Sequence, residues 1–237
     1  MLTLLFIRHA ESVGNQQHRM QGHADYGLSD QGQDQAQRLA QRLAAEFGSP
    51  TCLYSSPIRR AKQTAQLILK YQSPSITPMY DDRLCEGHQG IFQGLTWMEA
   101  CKRYPDLCHQ LETSLDWIPV PNAETPLAVR QRATAWLEDM LNHHQDGDRL
   151  WVVAHEWILY HLISVLLGSD RTWQMPIAHT GLFEFSLNVA RWSESDVDVL
   201  ANSSLWQLRR FNDVQHLSAN FVLIPGDGPQ PRLCNNN

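Results

Sequence analysis

Two patterns alternate along the chain: short continuous apolar runs, and longer stretches whose apolar positions recur at the helical period. Residues 2–7 form the first run and read as a buried strand. A helix is expected over about 31–47, with Ser29 as its cap and Ala36, Leu39, Ala40 and Leu43 on one face. Residues 51–54 suggest a second strand. Ser56-Pro57 suggests the cap and first position of another helix, with Ile58, Ala61, Ala65 and Ile68 facing a core. A third strand is expected over 76–80. From 85 to about 124 the pattern weakens: Gly87, Gly90, Gly94, Pro105, Pro119 and Pro121 break it, and only 96–103 looks helical. This stretch reads as an irregular lid insertion, about 87–124. A strong helix follows over 127–143, then an apolar strand at 150–154 with a helix at 157–167 behind it. Residues 181–187 and 205–211 are expected to close the sheet.

Strands alternating with helices predict an α/β fold, a three-layer α/β/α sandwich with a mostly parallel central sheet. The reading is one domain over 1–225 and a loose Gly-, Pro- and Asn-rich tail over 226–237. A chain of 237 residues, 43% of them hydrophobic, builds such a core without disulfides. Its five cysteines are scattered, with no C-x-x-C pair, which favours a reducing cytoplasm. The first apolar run is too short for a signal peptide or membrane span. A net charge of −6 without a dense basic stretch argues against nucleic acid as a partner. Small anions remain accessible through local clusters of Arg and His.

In open α/β sheets, ligands collect at the carboxyl ends of the strands. Arg8-His9 directly follows the first strand and His155 follows the strand at 150–154. Both strands are wholly apolar and hence central, so their ends can lie side by side. Arg59 and Arg60, at the start of the helix after Tyr54, add charge near the same edge. Such a cluster suits a phosphate, which arginine grips with a planar fork. In that setting His9 would attack phosphorus as a neutral imidazole, and Glu86, at the mouth of the insertion, would supply a proton to the leaving oxygen. A histidine after a strand is equally a capping residue. His155-Glu156 opens like an H-E-x-x-H zinc helix, but the next histidine is His161, on a different helical face, so no metal is expected. His143-His144 reads as a solvated helix end.

The residues also resemble a known family. Leu5-Phe6-Ile7-Arg8-His9-Ala10-Glu11-Ser12 with Asn15 is similar to the R-H-G-E-S/T-x-x-N signature of the histidine phosphatase superfamily, the group that includes the cofactor-dependent phosphoglycerate mutases. The likeness continues through Tyr54-Ser55-Ser56 to Arg60-Ala61, Leu84-Cys85-Glu86, Glu124-Thr125 with Arg130 and Arg132, Val152-Val153-Ala154-His155, and Asn212-Asp213-Val214-Gln215-His216-Leu217. It implies that His9 is the phosphorylated nucleophile and Glu86 the proton donor. It makes Arg8, Asn15, Arg60 and His155 the phosphate pocket and leaves Arg59 to solvent. It also implies that no metal or cofactor takes part and that the substrate is a small phosphorylated metabolite.

Three readings follow: a metal-independent phosphatase acting through phosphohistidine, a mutase of the phosphoglycerate type, and a phosphate-binding module without catalysis. A mutase would favour extra Lys or Arg around the mouth, and between Glu86 and Glu124 there are only Lys102 and Arg103. That favours hydrolysis. The chain departs from the family pattern at Glu156, where a Gly is usual, at His179, where an Asn is usual, and at Phe92-Gln93, which replaces Trp-Glu. Glu156 either points outward, the favoured reading, or sits at the site rim and keeps His155 protonated. His88, Phe92, Trp97 and Trp117 either wall a pocket or pack the insertion onto the core.

Overall fold

A computed structural model describes residues 1–72 and 76–217 of the chain. Their elements run β1 (Leu2–Arg8), α1 (Val13–Gln16), α2 (Asp30–Glu46), β2 (Cys52–Ser55), α3 (Arg59–Leu69), β3 (Met79–Tyr80), α4 (Trp97–Arg103), α5 (Pro105–Thr113), α6 (Pro126–His143), β4 (Arg149–Ala154), α7 (Glu156–Leu166), β5 (Leu182–Leu187), α8 (Val197–Leu200) and β6 (Trp206–Asp213). The six strands form one sheet in the order β3-β2-β4-β1-β5-β6. The first four are mutually parallel, while β5 and β6 add antiparallel at one edge.

Alternation along β1 explains the layers. Leu2, Leu4 and Phe6 face α6 and α7, where Val129, Ala133, Trp136, Ile158 and Leu162 complete one core. Leu5 and Ile7 face α2 and α3 and meet Leu39, Leu43, Ala61, Ala65 and Ile68. Helices on both faces leave Leu4–Ile7 of β1 and Leu150–Ala154 of β4 continuously apolar, as expected of central strands. Full burial of each such Leu, Ile or Phe side chain contributes about 1.5–3 kcal/mol. Ser29 caps α2 by accepting from Gly32 N at 3.0 Å.

Several boundaries differ from expectation. The helix expected from Ser56-Pro57 begins at Arg59, because Ile58 occupies the cap and Ser56 has other partners. Ser56 Oγ accepts from Ile58 N at 3.2 Å and lies 2.8 Å from His155 Nε2. The insertion is less irregular than its glycines and prolines suggested. Thr96 caps α4 in a reciprocal box with Glu99, and Pro105 starts α5 at a position where its missing N–H costs nothing. Phe92 and Trp97 pack there against Met20, Ala100 and Tyr104, so these two aromatics belong to a satellite core and not to a pocket wall. His144 is also not solvated: it sits 2.9 Å from Tyr54 Oη and 3.0 Å from Asp148, tying the end of α6 to the sheet. The expected tail lies outside the described residues.

Candidate active site

The register Arg8↔Ala154 sets the ends of β1 and β4 side by side, so His9 and His155 leave the sheet together. Their ring centroids are 5.0 Å apart. His9 Nδ1 lies 2.7 Å from the carbonyl of Ala10, and Arg60 Nε donates to His9 Nε2 at 3.2 Å. The network therefore assigns the proton to Nδ1 and leaves Nε2 unprotonated, its lone pair accepting from Arg60, which is the tautomer that an attack by Nε2 requires. Burial, reinforced by Arg60 and Arg8, holds the His9 imidazole well below the usual histidine range. Burial is also the main reason that His155 and His179 are held low.

Arg60, in the first turn of α3, is buried beneath the histidines and donates to the carbonyl of Gly22 at 2.8 Å and of Ala24 at 3.3 Å. Gly22 has φ +47°, and a Cβ there would meet the backbone N of Gln89 at 2.9 Å, so this close approach needs glycine. Burial lowers Arg60 to about 10, which still leaves it charged at neutral pH. Arg8 Nη1 donates to Ile177 O at 2.6 Å. Arg59, by contrast, points to solvent near Asp25.

Arg8, His9, Asn15, Arg60 and Glu86 line one cavity of about 490 Å³, with His155 fully buried behind His9. Asn15 Oδ1 accepts from Ser12 N at 3.0 Å, which pins the loop after β1. Glu86 stands at the start of α7, where its carboxyl accepts from the backbone N–H groups of Trp157 and Ile158, both at 3.3 Å. It thus occupies the helix N-terminus, while Arg60 and the imidazoles form the anion-facing wall.

Glu156 contradicts the favoured outward reading. It is buried, its Oε2 lies 3.2 Å from Arg8 Nη2, and its Oε1 accepts from Tyr160 Oη at 3.1 Å. The alternative fails in part too, since Glu156 pairs with Arg8 while His155 stays neutral. The reason is local: as the first residue of α7, next to His155, its side chain is directed back across the end of β1. Among the described residues, no group of three or more His, Cys, Asp or Glu side chains is placed to hold a metal ion. No helix among them is long and apolar enough to cross a membrane.

Residues 4–199 match the histidine phosphatase superfamily, branch 1. The chain belongs to this superfamily. It is 30% identical to phosphoglycerate mutase-like protein 4 of Arabidopsis thaliana, over 95% of this chain and 91% of that protein. It is 28% identical to the metal-independent phosphoserine phosphatase of the same plant, over 91% and 83% of the two chains. Among solved structures it resembles Bacillus stearothermophilus YhfR, with a TM-score of 0.74 and 25% identity over 91% of this chain and 99% of that one.

Within this histidine phosphatase fold, three contributors escaped the sequence-level assignment. Arg132 donates to the carbonyls of Arg83 at 2.7 Å and Cys85 at 2.6 Å and pairs with Glu124 at 2.7 Å, so it clamps the backbone that presents Glu86. His179 lies 5.9 Å from His9, ring to ring. The N-D-x-x-H-L stretch holds the loop that carries His179: Asn212 Oδ1 accepts from Ala178 N, and His216 Nε2 meets Thr180 Oγ1, both at 2.8 Å. The signals were the departure at position 179 and the arginine spacing in the helix after Glu124.

Two results are expected here. Arg132→Met should lower turnover about 10–100-fold, because misplacing the candidate proton donor Glu86 by about 1 Å would cost on that scale. Steady-state assays with good and poor leaving groups would show the larger loss on the poor ones. Stability should also fall with acid. Burial lowers His161 to about 4, so the unfolded chain takes up its proton first. Stability is then flat above about pH 6.5 and lost from there toward pH 4, by about 1.4 kcal/mol per pH unit for one such group. Thermal denaturation across that range should show a fall steeper than one proton, since His9, His155 and His179 are held low as well. His161→Leu should remove one proton from the slope.

Proposed function

We propose that this protein is a metal-independent phosphatase that hydrolyses phosphate monoesters of small metabolites through a phosphohistidine on His9. The observation that carries the reading is the state of His9: neutral, Nδ1–H on the Ala10 carbonyl, Nε2 facing Arg60 and the cavity. The Nε2 lone pair attacks phosphorus and the ester P–O bond breaks. Arg8, Arg60 and Asn15 hold the equatorial oxygens, where charge accumulates. His155 Nδ1 is buried without a hydrogen-bond partner among the described residues, and a phosphoryl oxygen would supply one. Glu86 gives its proton to the leaving oxygen. In the second half, the Glu86 carboxylate takes a proton from water, whose oxygen attacks phosphorus, the P–N bond breaks and orthophosphate leaves.

Hydrolysis is favoured over the mutase reading because the insertion gives the cavity no cation among the described residues: neither Lys102 nor Arg103 lines it. A mutase must hold a doubly phosphorylated intermediate and keep water out. The relatives named as phosphatases support the same choice, and four unpaired cysteines among the described residues fit a reducing, cytoplasmic setting. The test is incubation with chelator and a panel of phosphate monoesters, 3-phosphoglycerate included, with released phosphate and isomerised product followed together. Phosphate release without isomerisation is expected. Isomerisation exceeding release, stimulated by a bisphosphorylated sugar acid, would make the protein a mutase.

A further inference from the structure

The phosphate end of the cavity is polar, but the remainder is not. Trp157 stands directly beside Glu86: its backbone N–H meets the Glu86 carboxyl, and its ring lies so close on Gly87 that a Cβ there would come within 1.9 Å of it. A leaving group that takes its proton from Glu86 therefore meets the Trp157 indole next. Beyond it, Tyr160, Trp117 and Trp173 continue the lining. Trp117 and Trp173 are 53% and 59% exposed at the mouth, which is costly for large aromatics unless a ligand covers them.

Charge on the lining works in the same direction. Beyond Arg8 and Arg60, the remaining lining cation among the described residues is Arg19, and it is matched by Glu99 at 3.0 Å and by the Gly94 carbonyl at 2.7 Å. Glu124 on the lining is matched by Arg132. Glu156 sets a buried carboxylate on the wall itself, beside Arg8. A second anionic group on the substrate would find no unmatched partner here, and the Glu156 carboxylate already offsets part of the Arg8 charge that would draw it in.

Resting on the phosphatase reading above, we propose that the site selects monoesters whose leaving group is uncharged and flat or apolar, an aryl or bulky alkyl alcohol, and that Glu156 is the residue that turns away carboxylate-bearing substrates. The cavity volume of about 490 Å³ has room for a bicyclic group beside the phosphate.

The experiment compares 1-naphthyl phosphate, phosphoserine and 3-phosphoglycerate in the wild type, Trp117→Ala, Trp173→Ala and Glu156→Gln. The wild type should favour naphthyl phosphate over 3-phosphoglycerate by at least about tenfold in kcat/KM, the scale of one well-placed like charge or stacking contact. Each tryptophan variant should raise KM for naphthyl phosphate about 3–10-fold, with a smaller change on 3-phosphoglycerate. Glu156→Gln, which keeps the shape and loses the charge, should narrow the preference about tenfold by gaining on 3-phosphoglycerate. Inhibition by inorganic phosphate in every variant reports whether the phosphate pocket is intact. Equal or better turnover of 3-phosphoglycerate or phosphoserine by the wild type overturns the proposal, as does indifference of naphthyl phosphate to both tryptophan changes. Failure to release phosphate from any ester or to form a phosphoenzyme overturns the phosphatase reading along with it.

Discussion

His9→Ala is expected to lower phosphate release by about 10⁴–10⁶-fold, the range seen when a covalent nucleophile is removed from an otherwise intact site. What remains would be the binding and electrostatic contribution of Arg8, Arg60 and the buried imidazoles. The same variant should take up no acid-labile phosphate from a labelled ester, whereas the wild type, quenched rapidly, should. The fold should survive, because His9 lies at the end of β1 and its ring touches polar neighbours and not the apolar cores. Circular dichroism and thermal denaturation would confirm that. A wild-type enzyme that turns over rapidly yet never traps phosphate, together with a His9→Ala enzyme of normal rate, would sink the mechanism. The pH profile adds a separate check. Because the folded-state pKa of His9 lies well below the ordinary value, lowering the pH from 7 to 6 should leave the nucleophile neutral, and the phosphorylation step should not fall as an unshifted histidine would dictate.

The layers of the fold and the placement of the candidate reacting groups could be read from the sequence because both are local properties. An unbroken apolar run such as that of β1 means burial on both faces, and a histidine at its end must sit at the sheet edge where ligands gather. Pairing of β1 with β4 followed from their shared apolarity and put His9 beside His155. What stayed illegible depends on contacts distant in the chain. The direction of Glu156 is decided by Arg8, far away in sequence, and nothing around position 156 reveals that partner. The start of α3 slipped because the hydroxyl of Ser56 is used by His155, a competition invisible to a capping rule. The aromatics of the insertion divided by depth: Phe92 is buried in a satellite core, while Trp117 and His88 line the cavity. Both groups are aromatic and lie in the same glycine- and proline-rich stretch, so only packing separates them.

Glu86→Gln is the second large effect, and its signature lies in the leaving group. An alkyl oxygen departs as an alcohol only if a proton reaches it, so removing the acid should cost about 10²–10⁴-fold in kcat/KM for alkyl phosphates. A nitrophenyl ester departs as a stable phenolate and should lose less than about tenfold in phosphorylation, since Brønsted behaviour ties the benefit of the acid to the basicity of the leaving oxygen. Glutamine retains one oxygen, which can keep the Oε1 contacts with Ile158 N and Gly87 N and gives up only the Oε2 contact with Trp157 N, so the side chain should stay at the start of α7 and the comparison reads proton transfer and not displacement. The second half-reaction gives an independent readout. With no carboxylate to take the proton of the attacking water, the phosphoenzyme should break down slowly even when it forms quickly. Nitrophenyl phosphate should then produce a burst of nitrophenolate close to one equivalent of enzyme, followed by a slow steady rate, with phosphate trapped on His9. Equal losses on both esters with no burst would mean that Glu86 only shapes the pocket, and the proton donor would have to be sought among the other acids on the lining, Glu156 first, since its Oε2 lies 3.2 Å from Arg8.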